Sequence, residues 1–322
     1  MRNVTSIFLA STMLTAVIST VQAEVNVVAS IKPVHALVAA VMEGVGTPDL
    51  IIEGIGSPHT YSLKPSQAQL LQNADLVFWI GQDMEGFLEK PIEAIATNAI
   101  SVTLMDIDGL IKIKLREGGS FENHDHDDHA DHDDDHDDHA DHDDHDDHSD
   151  IDLHFWLDPI NAKAMVHTIE DALIAADPEH APTYAANAEQ MMGRLDDLVV
   201  EVDAALAPVR GQGYIVFHDA YQYYESRFNI AAVGSITVSP EVMPGVKRVS
   251  ELQAKVRGLG ATCVFSEPQF EPKLVSIIIE NTDARTGVLD PLGATVAQGP
   301  NHYFTLIRNM TKALTDCLSS KS

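Results

Sequence analysis

The chain has 322 residues, with 49 acidic and 20 basic side chains, two cysteines, sixteen histidines and a formal net charge of −29. This charge argues against nucleic acid as a partner, since phosphate binding needs clustered Lys and Arg, and it disfavours docking on an anionic membrane. A hydrophobic fraction of 45% excludes global disorder. The length suggests about two domains.

The first 23 residues resemble a secretory signal peptide. Arg2 gives a short basic start, residues 7–18 are mostly apolar, and Val21-Gln22-Ala23 resembles a small-residue cleavage site. The apolar run is short for a bilayer span, which disfavours the alternative of an uncleaved anchor. We therefore expect an exported chain that starts near Glu24 and has no direct membrane anchor.

Short apolar runs alternate with stretches of helical periodicity, which indicates parallel sheets covered by helices on both faces. Predicted strands are residues 25–30, 50–55, 76–80, 100–103, 111–115, 153–156, 214–217, 231–236, 262–266 and 286–289. Predicted helices are residues 35–42, 66–73, 86–96, 161–176, 181–206, 249–257, 272–281 and 303–318.

The helix predicted over residues 181–206 would be about 39 Å long, enough to connect two α/β lobes. An ordinary core helix is the alternative interpretation. The expected fold class is α/β, with two lobes of parallel sheets flanked by helices and joined by one long rigid helix. The predicted division is a lobe over 24–180, a linker helix over 181–207 and a lobe over 208–322.

The acidic charge is concentrated in residues 121–150, which hold fifteen Asp, one Glu and no Lys or Arg. Nothing more apolar than Ala occurs between 124 and 148, so this stretch is predicted to be a solvated insertion in the first lobe. Its histidines could form weak, low-affinity metal sites, or serve no specific purpose in a solvated loop. They are His124, His126, His129, His132, His136, His139, His142, His145 and His148.

Outside the insertion, three histidines and one aspartate lie in or just beyond the C-terminal part of predicted strands. They are His59, His154, His218 and Asp290. Ligands of parallel α/β sheets bind at that edge, and three imidazoles with a carboxylate suit tetrahedral Zn²⁺. Because the four are separated by 95, 64 and 72 residues, no short motif supports the site, and hydrogen-bonded structural histidines are the alternative.

Glu267 also follows a predicted strand. It is a candidate to accept a hydrogen bond from a ligand histidine, or else a helix-start residue. For the remaining histidines we expect solvated or capping roles. They are His35, His167, His180 and His302.

Cys263 and Cys317 are the two cysteines of the chain. In an oxidising compartment such a pair most often forms one structural disulfide, and two buried thiols are the alternative.

Five stretches resemble the cluster A-I metal-binding components of ABC transporters, and among them the periplasmic zinc-binding members of high-affinity uptake systems. They are SPHTYSLKPSQ (57–67), DLHFWLDP (152–159), FHDAYQYY (217–224), FSEPQF (265–270) and VLDPLG (288–293). The resemblance implies two α/β lobes joined by one rigid helix, with zinc bound in the cleft between them. It also implies a disulfide between the paired cysteines and an acidic, His-rich variable loop.

Carried over residue by residue, the resemblance gives His59, His154 and His218 as zinc ligands and Asp290 as the carboxylate position. Manganese-handling relatives typically carry Glu where this chain has His218. Some zinc-binding relatives have Glu immediately before the first ligand histidine, and this chain has Pro58 there. The fourth ligand is therefore Asp290 or water.

The leading hypothesis is a monomeric capture protein, not an enzyme, that binds Zn²⁺ and delivers it to a membrane permease driven by a cytoplasmic ATPase. A zinc hydrolase with Glu267 as general base is the rival, although the sequence has no HExxH helix and no nucleophile elbow. A third possibility is a metal-binding adhesin or extracellular metal buffer that serves no transporter.

Overall fold

The structure is a computed structural model that describes residues 25–116, 121, 150–237, 246–259, 262–270 and 273–319. The predicted signal peptide over 1–23 lies outside the described residues. So do the nine histidines of the acidic insertion.

The first lobe is an alternation of strands and helices around a four-stranded parallel sheet. Its elements are β1 (Val27–Ala29), α1 (Lys32–Val41), β2 (Asp49–Leu50), α2 (Pro65–Asn73), β3 (Leu76–Trp79), α3 (Gly86–Ile95) and β4 (Ile100–Thr103). The strand order is β2-β1-β3-β4, with every neighbouring pair parallel. All residues of β1 and β3 are buried, as expected for the inner strands of a sheet that is covered on both faces.

Two long antiparallel helices follow, α4 (Pro159–Ala176) and α5 (Ala181–Leu206). Helix α5 begins and ends at the predicted residues and connects the two lobes. Its buried side chains recur at helical spacing and form one apolar face. This face packs against α4, and α5 also contacts α1 of the first lobe.

The second lobe repeats the alternation around its own parallel sheet. Its elements are β5 (Tyr214–His218), α6 (Gln222–Phe228), β6 (Gly234–Thr237), α7 (Val246–Leu259), β7 (Cys263–Ser266), α8 (Lys273–Ile278), β8 (Arg285–Val288) and α9 (His302–Ser319). The strand order is β6-β5-β7-β8. Two parallel sheets joined by one long helix confirm the predicted fold class.

The lobes share packing beyond the connecting helix. Helix α9 of the second lobe packs against both α1 and α5, so one apolar core continues from the first lobe into the second. A smaller core lies between the second sheet and its helices α7 and α8. Among the residues that the structure describes, no helix combines the length and apolar character needed to cross a bilayer.

The predicted disulfide is present between Cys263, the first residue of β7, and Cys317 near the end of α9, with Cα atoms 6.2 Å apart. It ties the last helix to the middle of the second sheet.

Two predicted strands are wrong. Residues 111–115 make a single antiparallel bridge, from Lys114 to Ile151, and join neither of the two sheets. In 153–156 the apolar run leads into a 3-10 turn, Phe155–Leu157, since Asp158 caps α4 and Pro159 occupies its first turn. Apolar runs that are buried on all sides do not distinguish a strand from a helical turn.

Candidate metal centre

Three histidines that are far apart in sequence meet at the cleft between the lobes. The ring centroids of His59, His154 and His218 lie 5.2 to 5.8 Å from one another. Each ring offers a nitrogen such that all three ligand atoms lie within 4.8 Å of one another. The structure therefore brings together the three imidazoles that the sequence separates by 95 and 64 residues.

Each histidine comes from a different kind of element. His218 is the last residue of β5, at the carboxyl edge of the second sheet where parallel folds bind ligands. His154 immediately precedes the 3-10 turn ahead of α4. His59 lies in the loop between β2 and α2, which Gln67 of α2 holds by donating to the carbonyl oxygen of Ile51 and to the hydroxyl of Tyr61.

Buried carboxylates orient two of the rings. His154 Nδ1 lies 2.7 Å from Asp152 Oδ1, and His218 Nδ1 lies 2.7 Å from Glu267 Oε1. An ionised carboxylate only accepts hydrogen bonds, so each Nδ1 carries the proton and donates. In the neutral form of each ring, this leaves the Nε2 lone pair facing the other ring, the tautomer that binds metal.

The two Nε2 atoms are 3.3 Å apart. Two lone pairs cannot hydrogen-bond to each other, so without a cation or a shared proton they repel. In a tetrahedral site with Zn–N bonds of about 2.0–2.1 Å, ligand nitrogens are about 3.3–3.4 Å apart. The observed spacing therefore fits a small four-coordinate cation between His154 and His218.

His59 and His218 differ in their readiness to take a proton. Desolvation lowers the pKa of His59 well below 6.5, and the neighbouring His154 and His218 lower it further. As a whole residue, His59 is nevertheless exposed to solvent, whereas His154 and His218 are buried. Desolvation also opposes a charge on His218, but the Glu267 carboxylate outweighs it and raises the pKa of His218 above 6.5.

Asp290 lies two residues beyond β8, at the same edge of the second sheet as His218. It is not among the residues whose ligand atoms lie within 4.8 Å of one another. Its Oδ2 accepts the N–H of Ala294 at 2.6 Å, and its Oδ1 accepts from the Leu292 N–H and the Gln269 amide at 3.1 and 3.0 Å. In this conformation Asp290 holds the loop that follows it.

Asp152 is the site residue that the sequence analysis missed. Its side chain is fully buried, and it receives bonds from His154 and from the Gln222 amide, 3.1 Å away. An aspartate two residues before a ligand histidine, directly after a solvated insertion, was the available signal.

Two of the four remaining histidines contradict the expected solvated or capping roles. His35 is buried with Nε2 3.0 Å from the carbonyl oxygen of Pro48, and His302 is buried with Nε2 2.9 Å from that of Leu292. Both lie on helices that pack into the shared core, which desolvates them. His167 and His180 are exposed or half-exposed, as expected.

Comparisons with known proteins agree with this geometry. The sequence model of a family described as zinc-uptake complex component A, periplasmic (ZnuA) matches residues 27–317. The high-affinity zinc uptake system protein ZnuA of Brucella suis biovar 1 (strain 1330) is 54% identical to this chain over 333 aligned positions, which cover 99% of this chain and 100% of that protein.

Solved structures show the same fold at low sequence identity. A zinc-bound ZnuA deletion mutant is 20% identical, with a TM-score of 0.72 over 93% of this chain and 100% of the other. The solute-binding protein FpvC of Pseudomonas aeruginosa, in complex with Mn²⁺, is 15% identical, with a TM-score of 0.73 over 92% of this chain and 99% of the other. By its match along almost the whole sequence, the chain belongs to the family of periplasmic zinc-uptake complex component A.

Proposed function

We propose that the protein captures Zn²⁺ in the periplasm, through His59, His154 and His218, and delivers it to the membrane permease of an ABC transporter. The observation that carries the proposal is the convergence of three ring nitrogens within 4.8 Å of one another, with those of His154 and His218 at the 3.3 Å spacing of a tetrahedral zinc site. The ion is the cargo, so the centre has to release it as well as bind it.

The ligand set favours zinc over manganese. A solved structure with this fold contains Mn²⁺, so the fold alone does not select the metal. Three imidazoles suit zinc, whereas manganese prefers oxygen ligands. The two carboxylates at Asp152 and Glu267 bind ring N–H groups and therefore support the imidazoles without replacing them.

Asp290 and a water molecule are the two candidates for the fourth ligand. Asp290 would reach the ion by giving up its bonds to the Leu292 and Ala294 N–H groups. Zinc affinity of an Asp290→Asn variant distinguishes these two candidates. If Asp290 is a ligand, zinc affinity falls about as far as in a histidine variant. If water is the ligand, the loss is much smaller.

A zinc hydrolase is the weaker candidate. Its general base would be Glu267, but this side chain is 3% exposed and its Oε1 already binds His218. In that position Glu267 orients the His218 ring and is not placed to activate a water molecule for hydrolysis. The family is also named for an uptake complex and not for an enzyme.

The decisive experiment for the site is metal analysis and competitive zinc titration of the exported chain. We expect His59→Ala to weaken the tight site by more than about 100-fold, beyond the usual effect of losing a residue that only orients a ligand. The matched control is His167→Ala, an exposed histidine on α4, which should bind zinc as the unaltered chain does. Equal tight binding by both variants would contradict the proposal.

We further propose that the nine histidines of the acidic insertion gather zinc weakly. Pairs such as His126 and His129 can chelate, and the surrounding aspartates raise the local cation concentration. Deleting residues 124–148 should reduce the number of bound ions and leave one tightly bound ion. If this variant also loses the tightly bound ion, weak binding by the insertion and tight binding by the three histidines are not separate roles.

Delivery distinguishes a transport component from an adhesin or a metal buffer. We expect cells that lack the chain to grow poorly when zinc is scarce and to recover with the intact gene but not with the His59→Ala form. Recovery should also require the permease. If the intact gene restores growth even in cells that lack any zinc permease, the protein acts as a metal buffer and not as a transport component.

A further inference from the structure

Lys32 is a buried cation that reaches from the first lobe to the second. It is the first residue of α1 and is only 9% exposed. Its Nζ donates to the carbonyl oxygens of Ala294 at 2.5 Å and Val296 at 3.1 Å. Lysine is rarely buried unless its charge is compensated, so this placement is costly and points to a specific role.

The loop that Lys32 binds, residues 290–296, separates the metal centre from a cavity. On one side Pro291 and Leu292 line the pocket that contains the three histidines. On the other side Asp290, Gly293 and Val296 line a partly open cavity of about 460 Å³ against α9. Residues 291–294 are buried, but the cavity leaves part of the loop without close packing behind it.

Polar bonds therefore fix this loop, and they act on opposite sides of its backbone. Asp290 accepts the N–H groups of Leu292 and Ala294. Lys32 donates to the carbonyl oxygens of Ala294 and Val296. The indole N–H of Trp156 donates to the carbonyl oxygen of Pro291 at 2.8 Å. Both Lys32 and Trp156 come from the sequence before the connecting helix, so these bonds also link the two halves of the cleft.

Charge adds to the geometry. Burial lowers the pKa of Lys32, and the negative charge of Asp290 opposes this shift. The ammonium and the carboxylate therefore attract each other while they hold successive peptide groups of the same loop. Charge-assisted hydrogen bonds of this kind are stronger than those between neutral groups.

We propose that Lys32 is a positioning residue that holds loop 290–296 over the metal centre and thereby sets the rate at which zinc leaves. The inference rests on the proposed zinc binding. Without the ammonium, Ala294 and Val296 lose their anchor in the first lobe, while the bond from Trp156 to Pro291 remains. The loop then shifts more readily toward the cavity, which opens the histidines to water and displaces Asp290.

The test compares zinc dissociation from the full chain, measured by transfer of the ion to excess chelator. Lys32→Met keeps the length of the side chain but removes the donors, and we expect dissociation to be about tenfold faster or more. Lys32→Arg keeps a donor for both carbonyl groups and should stay within about threefold of the unaltered chain. Amide exchange of residues 292–297 should quicken in Lys32→Met only.

A matched control separates positioning from general stability. Arg308→Met removes an exposed ion pair between α9 and Glu201 of α5, away from the loop. It should leave zinc dissociation unchanged even if the unfolding midpoint falls. If Lys32→Met does not fold, Lys32→Gln, which retains one donor group, is measured in its place with an intermediate acceleration expected.

The outcomes are distinct. Faster zinc release in Lys32→Met, with rescue by Lys32→Arg, supports the inference. An unchanged release rate in the folded Met or Gln variant overturns it while zinc capture stands. If the unaltered chain binds no zinc, the proposed function itself fails.

Discussion

Two histidines of the metal centre respond differently to acid. The pKa of His59 lies well below 6.5, so this ring stays neutral and ready to bind at neutral pH. The pKa of His218 lies above 6.5 because the nearby Glu267 carboxylate outweighs desolvation. On acidification, protons therefore compete with the metal first at His218.

This competition gives a directional pH prediction. Zinc affinity should fall as the pH drops through the raised pKa of His218, with the decline already under way near about pH 6.5. Glu267→Gln removes the negative charge, so the pKa of His218 falls and the decline begins at lower pH. The same variant should bind zinc more weakly at about pH 8, because the carboxylate no longer increases the ligand basicity of the ring.

Competitive titrations between about pH 8 and pH 5.5 check both effects. Gln269→Glu is not a suitable control because Gln269 binds Asp290. An exposed substitution such as Glu53→Gln is suitable, since it alters formal charge by the same amount. Identical pH profiles for Glu267→Gln and the unaltered chain would contradict the assignment.

Glu85 is a buried carboxyl group in the first lobe that makes no contact with the metal centre. Its Oε2 accepts the N–H of Ile80 at 2.7 Å, yet burial raises its pKa to about 7. A carboxyl group with a raised pKa favours folding most below its unfolded pKa, and this contribution is lost as the pH rises through the folded value.

Glu85→Gln should therefore stabilise the protein at about pH 8 by up to about 3 kcal/mol and much less near about pH 4.5, because the amide keeps an acceptor for Ile80 and carries no charge. Urea unfolding at the two pH values measures the difference. Glu53→Gln, a substitution on the surface, should leave the free energy of unfolding unchanged at both pH values. A stability difference that does not depend on pH would count against the raised pKa of Glu85.

Among the elements, the last helix is linked covalently to the second sheet by the disulfide, in addition to packing against β8. Cys263 and Cys317 are 54 residues apart in sequence, and closing a loop of this size stabilises by about 4 kcal/mol in the chain-entropy model. A Cys263→Ser/Cys317→Ser double variant should lose roughly this free energy of unfolding. Its zinc stoichiometry should not change, because neither cysteine lies at the metal centre.

Denaturant unfolding with and without reductant measures this loss. Reductant should not change the stability of the double variant. The unaltered chain, once reduced, should become about as unstable as the double variant. Equal stability of the oxidised and reduced chains would contradict the prediction.

Elements with a single clear pattern were predictable from the sequence. Helix α5 has 26 residues with apolar side chains at helical spacing, and both of its ends were predicted correctly. The seven-residue helix α6 was missed because so short a helix, rich in buried aromatic residues, shows no clear periodicity. The run at 153–156 was misread as a strand because it is buried on every side.

The sequence predicts that His59, His154 and His218 lie close together, and the structure brings them together. His218 ends a strand, but the prediction depends on several strand-end candidates taken together, because a single histidine at such a position is also common as a structural residue. The only signal at Asp152 is its place two residues before His154, and this is weak because its role depends on a side-chain bond to His154 that only folding creates. Asp290 was placed at the correct edge, but its bonds to Leu292 and Ala294 depend on the local turn of the backbone.

At the scale of the whole molecule, the lobes are held together near the metal centre as well as by α5. Arg227 of α6 binds Asp158 through two nitrogen–oxygen contacts of 2.7 and 2.8 Å. Arg116, which precedes the connecting helix in sequence, forms ion pairs with Asp219 and Glu225 of the second lobe. Breaking such partly buried ion pairs leaves charges without partners, which opposes wide separation of the lobes.

We therefore expect small lobe movements on zinc binding. Small-angle scattering of the chain without residues 124–148 should give closely matching profiles with and without zinc. A large contraction on binding would contradict a rigid connection. Removing the insertion avoids a change in profile that arises from metal bound there.

The bridge between Lys114 and Ile151 has a consequence for how this protein can vary. It joins the two ends of the acidic insertion, so the chain leaves and re-enters the first lobe at adjacent points. Doubling the length of a chain segment between fixed ends costs only about 0.6 kcal/mol in closure entropy. Related chains are therefore free to lengthen, shorten or recompose this segment while the folded body is preserved. The same position is a suitable place to graft a reporter peptide that senses the metal.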